Sequence, residues 1–224
     1  VTVTNCPFSE NVSVSDKKFL SNTDKRYTKA TGSLTGYFPL KMIEETKPGG
    51  IIVCLNTSGF MDNYRHTSTR ELMAEKANLI GAIRLPEGIF PDTKVNTDLL
   101  IFQKLGKKAP KLLFNNSFAK TTDQKLNTTE YRLNEYFAAH PEYILGEPVV
   151  TSGVKGQEVV KYQSDLSHPE EIAHKAEEMI RKMVSDYKQQ TKQQHVEAST
   201  SVTDNVAKPV QKTLFGDVED SESE

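Results

Sequence analysis

Residues 48–55 read Pro48-Gly49-Gly50-Ile51-Ile52-Val53-Cys54-Leu55 and place a helix-ending turn directly before an uninterrupted apolar run. Proline lacks a backbone N–H and glycine adopts turn conformations freely, so this tripeptide is typical of the end of a helix. Five consecutive apolar residues then favour a strand buried on both faces, as in a sheet with helices on each side. The segment therefore predicts an α/β fold.

The residues before this turn predict a helix and a strand. Leu34, Tyr37, Phe38 and Ile43 follow helical spacing, and Pro39 is expected to be tolerated only in the first turn of that helix. Residues 1–4 alternate between valine and threonine, which is typical of a strand. Because natural chains rarely begin in the middle of a strand, we expect a fragment or a truncated reading frame.

Three more elements follow the turn. A second helix, capped by Ser68 or Thr69, is predicted to run through Leu72, and strands are predicted at 79–83 and 99–102. The order is strand, helix, strand, helix, strand, strand. This order is that of the second half of a doubly wound, Rossmann-like sheet, which we assign to residues 1–105.

Residues 106–195 predict a mostly helical C-terminal extension. We expect a helix at 131–139, a hairpin at 149–162 and a final amphipathic helix. The apolar face of that last helix consists of Ile172, Ala176, Met179, Ile180, Met183, Val184 and Tyr187. Packing on its own domain and a partner-binding coiled coil are both compatible with such a face. Residues 196–224 hold seven acidic residues against two lysines and predict a disordered acidic tail.

The overall composition excludes several classes of protein. The net charge is −2, so any contact with nucleic acid must come from local patches. No apolar run has the length of a membrane span, and no signal peptide begins the chain, so we expect a cytoplasmic protein. Cys6 and Cys54 lie in separate segments, and the five histidines have no ligand-spaced partners. No metal site is expected.

The motif that carries chemistry is Asn5-Cys6-Pro7-Phe8, at the end of the first predicted strand. Taken alone, Asn5 is compatible with a turn residue that caps the strand. The tetrapeptide also resembles the Asn/Asp-Pro-Pro-Tyr/Phe signature of DNA amino-methyltransferases. The resemblance implies that Asn5 accepts a hydrogen bond from the target amine through its side chain and Cys6 through its carbonyl, in the turn that contains Pro7. Phe8 then stacks on an adenine flipped out of the duplex.

The succession of segments after this motif strengthens the resemblance. It consists of Gly36-Tyr37-Phe38, residues 47–53, Arg70-Glu71-Leu72-Met73, residues 79–86, Phe90 and residues 97–104. This order is similar to N6-adenine DNA methyltransferases of type I and type IIG restriction systems. The greatest similarity is to the methylase portion of large methylase–helicase proteins of phages and conjugative elements. The resemblance covers only the C-terminal part of such a methylase.

The resemblance also implies a cofactor and partners. The family uses S-adenosylmethionine, held by a glycine-rich loop that precedes the catalytic motif. No equivalent loop is present here, so we expect the main cofactor site upstream of Val1, in a missing N-terminal segment or a separate chain. The DNA partner is expected to contact a basic group formed by Lys17, Lys18, Lys25, Arg26 and Lys29. A solvated loop without a DNA contact is equally compatible with these residues.

Cys6 departs from the family signature, because the family has proline at this position. The main-chain carbonyl is kept, but the rigid turn that aims it is loosened. Three hypotheses stay open. The chain is part of an adenine methyltransferase, or it is a catalytically inactive DNA-binding or antirestriction module, or it is a structural subunit that pairs with a cofactor-binding chain through the amphipathic helix.

One short motif interrupts the acidic tail. Gln211-Lys212-Thr213-Leu214-Phe215 resembles the Gln-x-x-Leu-Phe peptide by which bacterial replication proteins bind the sliding clamp. The resemblance implies that Gln211, Leu214 and Phe215 bind the clamp, as a disordered segment that orders on binding. Docking of Leu214 and Phe215 on the parent domain, or a chance match, is the alternative.

Overall fold

The computed structural model of the chain describes residues 1–9, 11–90, 94–106, 114–153, 156–165 and 168–203. Its central element is a four-stranded mixed sheet with the strand order β1-β2-β4-β3. Strands β1 and β2 are parallel, and β4 is antiparallel to both of its neighbours. The strands are β1 (Thr2–Asn5), β2 (Ile51–Thr57), β3 (Ala77–Leu85) and β4 (Thr97–Lys104). The predicted α/β class and the four strands are confirmed. The position of β4 between β2 and β3 was not predicted.

One face of the sheet is covered by helices from the first hundred residues. These are α1 (Lys17–Leu20), α2 (Lys25–Ala30), α3 (Leu34–Glu45), α4 (Ser58–Asp62) and α5 (Thr67–Lys76). Leu40 and Met73 from the helices and Ile52, Cys54 and Leu100 from the strands are fully buried in one apolar cluster. Burial of this kind contributes roughly 1.5–3 kcal/mol for each large side chain, so this face holds the main core.

Two details of these helices correct the expectations. Pro39 lies in the second turn of α3, not the first, and α5 begins at Thr67, before Ser68 and Thr69. Pro39 is tolerated there because the carbonyl that loses its helical partner, Thr35, accepts a hydrogen bond from the side chain of Asn56. The helical bond lost at the proline is thus replaced from the sheet.

The opposite face of the sheet carries the last helix, α8 (Pro169–Thr203). Met183 of α8 packs against Gly81 of β3, and Tyr187 donates a hydrogen bond of 2.7 Å to Gln103 of β4. The apolar face of this helix therefore packs on its own chain between Ile172 and Tyr187. The helix continues to Thr203, past residue 196, where the disordered tail was expected to begin.

The C-terminal part is helical, as expected, and residues 121–163 also hold two β-hairpins. The elements are α6 (Phe114–Ala119), β5 (Thr121–Leu126), β6 (Thr129–Asn134), α7 (Glu135–Ala139), β7 (Glu147–Ser152) and β8 (Glu158–Gln163). The expected hairpin at 149–162 is confirmed as β7–β8. The expected helix at 131–139 begins only at Glu135, because Asn127 adopts a positive φ of 56° and turns the chain into β6.

Candidate active site at the carboxyl edge of the sheet

The segment Asn5-Cys6-Pro7-Phe8 lies where β1 ends, beside the end of β2. The N–H of Cys6 donates a 2.9 Å hydrogen bond to the carbonyl of Leu55, which continues the parallel pairing one residue past the strand. The N–H of Ser9 then donates to the carbonyl of Pro7 at 3.0 Å. The four residues therefore form a backbone-anchored turn at the carboxyl edge of the sheet.

Asn5 is exposed, and among the residues that the structure describes its side-chain amide makes no hydrogen bond. In an asparagine that only caps a turn, the side-chain oxygen is expected to accept a hydrogen bond from a nearby backbone N–H. Asn134 does so in this chain, because its oxygen accepts from the N–H of Tyr136 at 3.0 Å. The oxygen of Asn5 is therefore available to a ligand.

Phe8 is partly exposed and meets the loop that follows β3. Its ring lies 6.2 Å from that of Phe90, at an interplanar angle of 75°, so the edge of one ring meets the face of the other. Among the described residues, Phe90 is the aromatic neighbour of Phe8, in the edge-to-face arrangement that aromatic pairs favour. Phe90 was noted only as part of the segment order, and its contact with Phe8 was not predicted.

The two cysteines, separate in the sequence, are neighbours in the structure. Cys6 and Cys54 are both buried free thiols. The hydrogen bond between the thiols, together with burial, raises the pKa of Cys54 well above its ordinary value. Cys54 is therefore an apolar packing group, and Cys6 contributes its side chain to the core while its backbone forms the turn.

A buried ion-pair group lies at the same edge and was missed in the sequence. Arg84 on β3 bonds Asp98 on β4 through two contacts of 2.9 Å, and it bonds Asp62 on α4 at 2.8 Å. Its guanidinium also lies 4.4 Å from the ring centre of Phe137 and 5.3 Å from that of Tyr162. This group joins the sheet to the C-terminal extension.

The charges of this group shift each other's protonation. Burial alone would lower the pKa of Arg84, but the two carboxylates raise it well above its ordinary value. Burial raises the pKa of Asp98 to about 6, and Arg84 offsets only part of that effect. Two carboxylates thus share one guanidinium, which stays charged.

The predicted basic group lies on α1 and α2, and the structure splits it. Arg26 is held by Asp24 at 2.7 Å and by Glu75 at 2.5 Å, and the hydrogen bonds that it donates to Glu75 and to Asp24 raise its pKa. The other four side chains are exposed, namely those of Lys17, Lys18, Lys25 and Lys29. Arg26 therefore has a structural role, and the lysines stay available to a polyanion.

The following observations concern the predicted clamp-binding residues, membrane-spanning helices and metal sites. Gln211, Leu214 and Phe215, the predicted clamp-binding residues, lie outside the described residues. Within the described residues, no helix combines the length and the apolar character needed to cross a membrane. In the same part of the chain, no group of three or more His, Cys, Asp or Glu side chains is arranged to hold a metal ion.

Comparison with known proteins identifies the family. The family model for N-6 DNA Methylase matches residues 1–195, and the chain therefore belongs to this family. The chain is also similar to Defense against restriction protein B of Escherichia phage P1, with 31% identity over 85 residues. That stretch is 37% of this chain and 4% of the phage protein.

Solved structures of restriction-system proteins are also similar to the chain. A modification subunit of a putative type I restriction enzyme from Vibrio vulnificus YJ016 matches at 17% identity and a TM-score of 0.39, over 75% of this chain and 37% of that subunit. The type I restriction enzyme EcoKI M protein matches at 15% identity and a TM-score of 0.34, over 96% of this chain and 53% of that protein. The chain thus spans about half or less of the length of each.

Proposed function

We propose that this chain is the target-base part of an N6-adenine DNA methyltransferase. The observation that carries the proposal is the side chain of Asn5, exposed and without a hydrogen-bond partner among the described residues, at the carboxyl end of β1. It is followed by a backbone-anchored turn and by the partly exposed ring of Phe8. The family membership supports a methylase of DNA amino groups.

The chemistry required at this site is the positioning of a poor nucleophile. The exocyclic amine of adenine is conjugated with its ring, so its lone pair is not available for attack. The side-chain oxygen of Asn5 and the carbonyl of Cys6 accept hydrogen bonds from the two amine hydrogens, which favours tetrahedral geometry at the nitrogen. Phe8 stacks on the flipped base and holds its plane.

The methyl donor in this family is S-adenosylmethionine, which supplies an electrophilic methyl group on a sulfonium. The unengaged amide of Asn5 and the ring of Phe8 fit the methyl-bearing side of such a group. The remainder of its site comes from outside this chain, in a preceding segment or a separate subunit. The outer edge of β1 is compatible with this assembly, because Val3 is 70% exposed and β1 has one neighbour among the described strands.

The test uses the assembled methyltransferase, with the cofactor-binding part supplied in the same chain or as a second subunit. Asn5→Ala is expected to abolish transfer of a tritiated methyl group to DNA and to leave DNA affinity within about twofold of the parent, since an amide that acts on the transition state adds little to ground-state binding. Asn11→Ala, another exposed asparagine nearby, is the matched control and is expected to retain activity. Equal loss of folding and activity in Asn5→Ala would assign Asn5 to the turn alone.

A second candidate function is a DNA-binding or antirestriction module of the same family without turnover. Two observations favour it, the cysteine at position 6 where the family signature has proline, and the similarity to a phage protein named for defence against restriction. Cys6→Pro discriminates the two candidates, because it restores the rigid ring of the family signature at the turn that aims the carbonyl, in exchange for the N–H that Cys6 donates to Leu55. If methyl transfer is absent in the assembled parent protein and appears in Cys6→Pro, the result supports the inactive DNA-binding or antirestriction module. Methyl transfer by the parent protein supports the enzyme.

A further inference from the structure

A cavity of about 510 Å³ lies between α2 and α5, outside the turn that carries Asn5 and Phe8. Lys29 of α2 lines one side, and Arg65, Thr67 and Ser68 line the other. Ser33, which caps α3, also lines the cavity, and its hydroxyl accepts a hydrogen bond of 3.1 Å from the N–H of Gly36. The cavity thus joins three helices at a place where two cations face the same space.

The two cations are free to take an anion. Lys29 and Arg65 are exposed, and within the described residues neither forms an ion pair. Arg26, one turn before Lys29, has both of its partners in Asp24 and Glu75 and does not compete. Glu71 is the acidic residue among those that line the cavity, so the cations outnumber it by two to one.

The hydroxyl groups of the cavity suit a tetrahedral oxyanion. The oxygen of Thr67 accepts a hydrogen bond of 3.2 Å from Arg70, which leaves its hydrogen to donate elsewhere. Ser68 lies next to it on α5 and lines the same cavity. Hydroxyl donors beside arginine and lysine are the groups that proteins use to position a phosphate of the DNA backbone.

Tyr64 adds an aromatic face to the rim of the cavity. It is 66% exposed, the largest exposure of an aromatic side chain among the described large hydrophobic residues. It also borders a second cavity of about 1060 Å³, where the guanidinium of Arg132 lies 5.7 Å from its ring centre. Tyr64 follows α4, which begins directly after β2 and therefore starts from the same sheet edge as Asn5.

We propose that the cavity between α2 and α5 binds one phosphate of the DNA backbone through Lys29 and Arg65, and that Tyr64 stacks on an unpaired base next to that phosphate. The proposal rests on the proposed function, because that function makes DNA the partner. It assigns the contact to one of the predicted lysines and to a tyrosine and an arginine that the sequence did not single out.

The test measures binding of the 224-residue chain to a fluorescein-labelled DNA duplex with one unpaired base, by anisotropy at several salt concentrations. Each neutralised phosphate contributes about 0.9 to the slope of log K against log salt. Lys29→Ala and Arg65→Ala are each expected to weaken binding and to lower the magnitude of the slope by about 1. Because both side chains hold the same phosphate, the double variant is expected to lower the slope by the same amount as either single variant. Lys188→Ala, an exposed lysine on α8 at the other face, is the control and is expected to change neither.

Tyr64→Ala separates stacking from charge. It is expected to weaken binding about tenfold, within the range for one aromatic–base stack, and to leave the salt slope unchanged. A parent slope in Arg65→Ala would overturn the phosphate site, and full affinity in Tyr64→Ala would overturn the stacking role. Either result leaves the proposed methyl transfer standing if Asn5→Ala still abolishes it. Conversely, the assembled protein could bind DNA in a way that depends on Arg65 and yet transfer no methyl group. That result would support the phosphate site and contradict the proposed methyltransferase activity.

Discussion

The side-chain amide of Asn56 donates a 2.8 Å hydrogen bond to the main-chain carbonyl of Thr35. This carbonyl would bond the N–H of residue 39 in a regular helix, but residue 39 is proline. Asn56 follows Leu55, which pairs with Asn5 in the neighbouring strand. One buried hydrogen bond therefore links the strand beside the candidate active site to the helix that covers it.

Replacement of Asn56 by alanine is expected to destabilise the protein by about 1–3 kcal/mol, because it removes a buried hydrogen bond to the carbonyl of Thr35. Pro39→Ala restores an N–H that can bond the same carbonyl. In the Pro39→Ala background, the cost of Asn56→Ala is therefore expected to fall by about 1 kcal/mol or more. Urea unfolding of the parent, the two single variants and the double variant measures this coupling.

Additive effects of the two substitutions would contradict this account of Pro39. Asn22→Ala gives a reference for the loss of an asparagine that caps a local turn, since its oxygen accepts from the N–H of Asp24 at 2.9 Å near the surface. Its cost should not depend on residue 39.

The buried pair Arg84–Asp98 yields a second prediction. Arg84→Met leaves two carboxylates, Asp98 and Asp62, without their cation, and is expected to cost about 3–5 kcal/mol. The double variant Arg84→Met, Asp98→Leu removes the buried charge with its partner and is expected to recover part of this loss. Arg132→Met is the control, because the Arg132–Asp123 pair is 41% and 79% exposed and such pairs contribute about 0–1 kcal/mol. Equal costs for Arg84→Met and Arg132→Met in urea unfolding would be the contrary result.

Asp98 also gives the stability of the fold a dependence on pH. Burial raises its pKa to about 6 in the folded protein, above the value of about 3.9 expected when unfolded. The folded state therefore holds this proton more tightly, and the contribution of Asp98 is fully present below about pH 4 and is lost as the pH rises through 6. The difference in free energy of unfolding between the parent and Asp98→Asn should fall from pH 4 to pH 7 and then level off. A difference that grows with pH over this range would show that Arg84 outweighs burial.

Local patterns were sufficient for the strands of the central sheet and insufficient for their pairing. The apolar run at 51–55 and the turn before it predict β2 correctly, because both signals lie within a few residues. The position of β4 between β2 and β3 depends on hydrogen bonds between distant segments, and no local pattern encodes them. For the same reason Arg84 and Asp98 could not be paired, since only the register of β3 with β4 places them opposite each other.

The candidate site shows the same division. The proposed roles of Asn5 and Phe8 come from a short motif, whose residues are close together in the sequence. The contact of Phe8 with Phe90, the neighbouring thiols of Cys6 and Cys54, and the cavity at Lys29 and Arg65 join residues far apart in the chain. Arg26 was grouped with the free lysines because its bond to Glu75 on another helix leaves no trace in the sequence.

Gly81 is where α8 comes close enough to β3 to exclude a larger residue. A Cβ at this position would lie 2.9 Å from Cγ of Met183 and closer still to its sulfur. Gly81→Ala is expected to cost about 1–3 kcal/mol through overpacking, and Met183→Ala about 2–5 kcal/mol through the cavity it leaves. In the Met183→Ala background the added methyl group enters that cavity, so Gly81→Ala is expected to become neutral or stabilising. Gly106→Ala is the control, because the nearest atom to its Cβ is Cβ of Pro48 at 3.9 Å. Urea unfolding measures all four variants, and a cost of Gly81→Ala that is the same with and without Met183 would show that α8 does not pack on β3 at this point.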